Sequence, residues 1–326
     1  MKKQILSFTA LLLALLLAGC AASAPQSGSA ASASASASGS ADARAVTFTD
    51  ALGRTVTVES PKRVAALIGS FADVWCLAGG KDTLVAAADD TWTQFELGLP
   101  ETVVNLGGVK EPSAEALLAA QPDFVIGSAK TAADVDLLPT LEQAGIPTAY
   151  FEVSTFEDYL GMLEVCTRVT GRPELYEQYG EQVRAQVDAA VARAEGKEGP
   201  SVLYLRATGS SCKVKNSENS VLGEMLAALG CVNIADSDAS LLEELSMEAI
   251  LAADPERIFI VMQGSDQEKV RQTLESAVLS NPAWQQLSAV KNGRVYYMDQ
   301  QLYNLKPNAR WGEAYEKLAE ILYGEA

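Results

Sequence analysis

The sequence predicts an α/β protein: two Rossmann-like βα lobes joined by one long, rigid backbone helix, with a ligand cleft between the lobes. Three observations lead there. Short apolar runs alternate with helical patterns over 64–170 and again after 200, and such alternation builds a largely parallel sheet. Between the two series, PELYEQYGEQVRAQVDAAVARA (173–194) runs without a strong breaker apart from Gly180. Finally, one decapeptide is written twice. SAEALLAAQP at 113–122 and SMEAILAADP at 246–255 match at seven positions, 133 residues apart.

The elements follow in order. VTFTDALGRTVTVES (46–60) alternates around Leu52-Gly53 and reads as a hairpin. VAALI (64–68), LVAAA (84–88), DFVIG (123–127) and PTAYF (147–151) are buried strands, each leading through a loop to a helical pattern, the last one near 155–170. Pro173 suits a first helical turn, and GKEGP (196–200) ends the linking helix. SVLYL (201–205) restarts the pattern, followed by RATGSSCKVKNSENS as a loop. VLGEMLAALG is a helix stopped by Gly230. LSMEAILAADPERIFIVMQG gives a helix and a strand, and NPAWQQLSAVKNGRVYYMD a helix, a turn and a strand. An amphipathic helix over about 308–323 closes the chain. The boundaries are 45–171 for the first lobe, 172–197 for the link and 198–326 for the second lobe.

Residues 1–19 read as a lipoprotein signal peptide. MKK supplies positive charge, ILSFTALLLALLL the apolar run, and LAGC places Cys20 at a lipobox. An uncleaved anchor is the competing reading, but the run is short for a spanning helix. Removing Lys2 and Lys3 takes the formal charge from -17 to -19. Residues 20–44 then hold the lipidated cysteine and an Ala/Ser-rich flexible tether, with a reach of roughly 25–30 Å. The folded part would sit at the outer face of a cytoplasmic membrane, extracellular in a single-membrane cell and otherwise periplasmic.

An acidic chain with a pI near 4.5 argues against nucleic acid as a partner. The absence of histidine removes Ser-His-Asp and Cys-His catalysis and the usual zinc helices. There is no GxSxG, GxGxxG, Walker A or CxxC motif. An enzyme is therefore not expected, although a secreted hydrolase or chelatase, or a tethered ligand sensor, stays as an alternative. Cys76 and Cys166 sit in apolar helical patterns and read as buried thiols. A Cys212–Cys231 disulfide is left open.

In both copies of the decapeptide a serine, Ser113 or Ser246, is placed as N-cap, and Glu115 or Glu248 falls in the first turn. A carboxylate there complements the helix dipole. That alone does not require the same acid in both lobes. Two matched surface acids suit a partner with two equivalent basic patches.

From TFTDALGRTVTV to the final helix, the chain resembles the substrate-binding lipoproteins of ABC importers for ferric siderophores, haem and vitamin B12. DALGRTVTVESPKRVAAL, PSAEALLAAQPDFVIG, LEQAGIPTAYF, LSMEAILAADPERIFIV and NPAWQQLSAVKNGRVYYMD carry the resemblance by their order and spacing. It implies capture of a chelated iron compound, a ferric siderophore first and haem or a corrinoid second. It also implies delivery to a permease dimer with its ATPase, by a monomer that carries no cofactor of its own. Glu115 and Glu248 would each dock into an arginine pocket of one permease subunit.

Ligands in open α/β sheets bind beyond the carboxyl ends of strands. Those loops hold Phe71, Trp92, Phe95, Lys130, Arg206, Lys213, Lys215, Gln263, Tyr303 and Lys306. The cations would pair with an anionic chelate, and Trp92 and Tyr303 would stack on it. Against this, loop lysines are commonly solvated, and an arginine after a strand commonly pairs with a nearby acid. No direct metal site is expected. A direct haem ligand could only be a Tyr, Met, Cys or Lys, with Tyr303 or Met262 conceivable. Trp284, Arg310 and Trp311 read as structural. A stiff link of this length implies a small twist on ligand binding rather than a wide hinge.

Overall fold

A computed structural model describes residues 45–324. The signal peptide, Cys20 and the tether lie outside the described residues. The chain opens with an antiparallel hairpin, β1 (Val46–Thr49) and β2 (Thr55–Val58). Asp50 fixes its turn: the buried carboxylate accepts from the N–H groups of Leu52, Arg54 and Tyr150 and from the Arg54 guanidinium at 2.6 Å. The hairpin is thereby tied to the first lobe.

That lobe is a parallel sheet of β3 (Val64–Ala66), β4 (Leu84–Ala87), β5 (Val104–Asn105), β6 (Phe124–Ser128) and β7 (Thr148–Phe151), in the order β5-β4-β3-β6-β7. The second lobe has β8 (Ser201–Ala207), β9 (Cys212–Lys215), β10 (Val232–Asn233), β11 (Arg257–Met262) and β12 (Val295–Met298). Its parallel path is β10-β8-β11-β12, with β9 antiparallel to β8. The apolar runs predict the long strands. The two-residue strands β5 and β10 lack the length to show a period. β9 corrects the reading of 206–220 as a plain loop: Lys213-Val214-Lys215 alternates, but the surrounding serines and Gly209 mask it.

Burial of the sheets on both faces explains their near-continuous hydrophobicity. One core runs through the inner faces of both lobes, including Val64, Phe124 and Phe151 in the first and Val202, Tyr204 and Phe259 in the second. Leu203, Leu205 and Ile260 face a separate core on the outer side of the second lobe, where Trp284 packs as expected. Ala65, Leu67 and Val125 do the same in the first lobe.

The link is helical from Pro173 to Ala192, with a π-turn at Glu177–Glu181 in its middle. There Gly180 sits against Tyr176 and Leu160, and a Cβ would lie within 3.2–3.3 Å of both. The Tyr179 carbonyl accepts from the Tyr159 hydroxyl at 2.8 Å. The wider turn makes the backbone available to the helix Phe156–Thr170. A uniform 3.6-residue reading of the sequence does not reveal such a turn.

The final helix, Trp311–Tyr323, packs along this link. Gly312 permits the approach, since any Cβ would collide with the Gln186 side chain. Trp311 is fully buried, 5.9 Å from the Phe156 ring and 6.2 Å from Tyr315. Asn308, also buried, donates its amide to the Ser70 carbonyl and the Asp73 carboxylate, both at 2.8 Å. The last segment of the chain thus fastens the second lobe onto the first.

The register settles the cysteines. Cys212 pairs with Ala207 at one end of β8, whereas Val232, next to Cys231, pairs with Ser201 at the other. At about 3.3 Å per residue the two thiols lie far beyond the ~7 Å limit for a disulfide, and all four described cysteines are free.

Truncating Trp311→Ala should remove the main apolar contact of the final helix with the first lobe. Urea unfolding followed by circular dichroism is expected to show a loss of about 3–5 kcal/mol, against under ~1 kcal/mol for a change at the exposed Glu316.

Candidate functional site

The decapeptides fold alike. Ser113 caps the helix Ala114–Ala119 and Ser246 the helix Met247–Ala253, each hydroxyl accepting from the third N–H at 3.2 Å. Both helices end in a residue of positive φ before proline, Gln121 and Asp254. Glu115 and Glu248 are exposed and, among the described residues, form no ion pair.

A cavity of about 130 Å³ lies between the lobes. The first lobe contributes Ser128 at the end of β6, Lys130, and Val153 and Ser154 just past β7. The second contributes Tyr204 and Arg206 from β8, Ser220 before the helix Val221–Ala228, and Asn304 and Lys306. Ser128, Val153, Ser154 and Arg206 lie at or just past the carboxyl ends of β6, β7 and β8, where the topology rule puts ligands; Ser220 precedes a helix, and Asn304 and Lys306 follow the helix Gln300–Tyr303. Three cations and no acid line the space.

The antiparallel β9 brings further positive charge. Arg206 is opposite Lys213 and Tyr204 opposite Lys215, and directly opposed residues share a sheet face. Arg206 and Lys213 depress the Lys215 ammonium, adding to the larger effect of its burial. Burial likewise pushes the Tyr204 hydroxyl up to about 12, with Arg206 opposing. Lys130 is held by Glu152 at 2.9 Å. Among the described residues neither Arg206 nor Lys306 forms an ion pair.

Beneath this wall lies Asp134, which is fully buried. One oxygen accepts from the Ser128 N–H at 2.8 Å and the other has no partner. Its own carbonyl accepts from Tyr150. Burial raises the carboxyl to about 7, the Ser128 bond opposing and Asp90 adding to the rise.

Of the residues that the sequence singles out, Lys130, Arg206 and Lys306 line the cavity, and Lys213 and Lys215 extend its charge. Trp92 is exposed and Phe95 half-buried, and neither lines it. They flank Gln94, which bridges the lobes: Gln301 donates to its carbonyl at 3.1 Å and Gln300 to its side chain at 3.3 Å. Tyr303 is a correction. Its ring is in the shared core, 3 % exposed, and its hydroxyl donates to the Ala314 carbonyl. It can neither stack on a ligand nor bind iron. Phe71 is buried in the same core. Gln263 bonds to Ala207 and does not line the cavity, and Met262 lies in a separate hollow of about 620 Å³ at the ends of β11 and β12. Ser128, Ser154, Tyr204, Ser220 and Asn304 are cavity residues that a search for charges and aromatics passes over. Their signal was position, one to a few residues from a strand end.

Two βα lobes on a braced helical link, meeting over a cavity at their strand ends, define a two-lobed solute-binding protein. The periplasmic binding protein family matches residues 64–302, more than half of the chain, and the chain belongs to that family. Its relatives include the ABC transporter substrate-binding lipoprotein YvrC of Bacillus subtilis, 24% identical over 99% of this chain and 98% of that protein. Another is the Fe(3+)-citrate-binding protein YfmC of the same organism, 27% identical over 91% and 90%. The fold is shared with the periplasmic haem-binding protein RhuT of Roseiflexus sp. RS-1, with a TM-score of 0.65 at 22% identity over 80% of this chain and 98% of that one.

Asp134 gives a pH signature. A carboxyl that titrates near 7 when folded and near 4 when unfolded favours the fold while protonated. Its contribution is fully present below pH ~4 and is lost as pH rises through 7. Asp134→Asn mimics the protonated form. Thermal melts from pH 4 to 8 should show the wild type losing stability relative to the variant over that window, whereas parallel curves would place the carboxyl's titration elsewhere.

Proposed function

We propose that this protein is the lipid-anchored, extracytoplasmic substrate-binding component of an ABC importer, and that its cargo is a ferric chelate of the siderophore type. The observation that carries the reading is the meeting of Lys130, Arg206 and Lys306, from both lobes, in one cavity without an acid in its lining. The names of the relatives YvrC and YfmC point the same way. A ferric chelate with anionic donor oxygens answers such a wall through charge-assisted hydrogen bonds. Haem is the second reading: Tyr303 and Met262, its conceived ligands, are not at the cavity, but Tyr204 lines it. The chelate is cargo, bound and released without turnover.

The cavity is smaller than the ~300–1,000 Å³ of most small-molecule sites. A chelate of siderophore size therefore enters when the lobes part at the Gln94 bridge, while the packed link and final helix keep the movement small. Glu115 and Glu248, one exposed acid on each lobe, are the docking residues for the two permease subunits. Cys20 carries the anchor at the outer face of the cytoplasmic membrane, and the docked species is a monomer.

Calorimetric titration of the full chain in detergent against ferric citrate, a ferric hydroxamate, a ferric catecholate, haem and cobalamin tests the cargo. Submicromolar binding of a ferric chelate is expected. Saturable binding of haem or cobalamin alone would overturn the iron reading. The Glu115→Ala/Glu248→Ala pair should leave that affinity within about twofold and lower uptake by cells at least ~10-fold, since such charges set docking register and rate. Unchanged uptake would remove the docking role.

A further inference from the structure

The cavity wall holds its three cations in different states. Lys130 already has a carboxylate, Glu152, at 2.9 Å. Arg206 shares its sheet face with Lys213 and is repelled by its neighbours rather than neutralised. Lys306 is half-buried and, among the described residues, has no ion-pair partner. Its position is fixed closely, because Asn308, two residues on, is bonded to Ser70 and Asp73 of the other lobe. The acid that acts on it is Asp90, also from the other lobe, which forms no ion pair with it among the described residues. Burial pushes the ammonium down and Asp90 opposes this.

Asp90 is itself engaged. Its carboxylate accepts from the Gly69 N–H at 2.8 Å, and it lies near enough to Asp134 to raise that carboxyl. It is therefore anchored in its own lobe and does not follow Lys306. A desolvated ammonium with a fixed carboxylate nearby but no ion pair to it is incompletely compensated. An anionic group placed in the cavity supplies the missing charge at closer range.

We propose that Lys306 is the specificity-determining residue of the cleft, selecting chelates that carry net negative charge, with Asp90 as the competing internal counter-ion. The inference rests on the reading of the cavity as a ferric-chelate site and adds the charge class of the cargo. Uncharged chelates would leave Lys306 buried and no better paired than before. Anionic ones, with carboxylate oxygens beyond those on iron, exchange the unpaired influence of Asp90 for a direct bond. Removing the charge of Asp90 would weaken the competition and tighten the binding of the same anions.

The test compares ferric citrate, an anionic chelate, with ferrichrome, an uncharged ferric trihydroxamate, on the full chain in detergent by calorimetry. The wild type should prefer ferric citrate. Lys306→Met, which keeps an apolar stem of similar length, should weaken ferric citrate by about 10- to 100-fold, the range of one charged hydrogen bond, and leave ferrichrome within about twofold. Asp90→Asn, which retains an oxygen for the Gly69 N–H, should tighten ferric citrate severalfold. That arm carries the test by itself if the lysine variant loses its fold. Equal binding of both chelates by the wild type, or equal effects of each substitution on both, overturns charge selection while iron-chelate capture stands. Failure of the wild type to bind either chelate, or any other ferric chelate, overturns the capture reading and the inference together.

Discussion

The brace between the linking helix and the final helix is the constraint on which the other features depend. Neither lobe is closed without it. The inner faces of both sheets share one core, and Trp311, Asn308 and Gly312 bring the last segment of the chain against the link and the first lobe. Buried aromatic area and the two hydrogen bonds donated by the Asn308 amide make this junction stiff. Across the cleft the lobes meet through the half-buried Gln94 and its two glutamine partners, polar contacts that water can replace. The protein is therefore strongly held along one side and weakly held along the other. That asymmetry lets a cavity between lobes open without unfolding either.

Electrostatics has the same contrast. The chain is strongly acidic, yet its cavity is lined by cations. In about 0.15 M salt, fields are screened within about 8 Å, so the distant acids do little at the cavity wall. There the local arrangement decides: β9 aligns Lys213 and Lys215 with Arg206, and low-dielectric walls strengthen whatever charge remains unpaired. Asp134 and Asp90 beneath the wall are the counterweight. Burial raises the Asp134 carboxyl to about 7 and so weakens that counterweight.

The sequence was legible where periodicity is long. The buried strands β3, β6, β8 and β11, the helix caps at Ser113 and Ser246 and the long link follow from runs and caps that act within a few residues. Cavity residues were legible when they combined charge with a loop that follows a strand: Lys130 and Arg206 stand at or just past the strand end itself, and Lys306 beyond the short helix after β12. Tyr303 shows where this stops. An aromatic in a loop after a strand is equally compatible with stacking on a ligand and with filling the core. The choice depends on the final helix, whose Ala314 carbonyl takes the hydroxyl. Ser128 and Ser154 carry no charge or bulk to mark them, so only their place in space identifies them.

By itself the sequence determined two lobes, a helical link, a duplicated helix start with one glutamate in each copy, and the exclusion of histidine chemistry. These are properties of composition, period and local capping. Tertiary structure decided which cations converge, that Cys212 and Cys231 stand at opposite ends of β8, and that Asp134 is buried with one oxygen unpaired. The physical reason is range. Helix and strand preferences are set by neighbours a few residues away, while burial, ion pairing and pKa depend on groups brought together from 90 to 306.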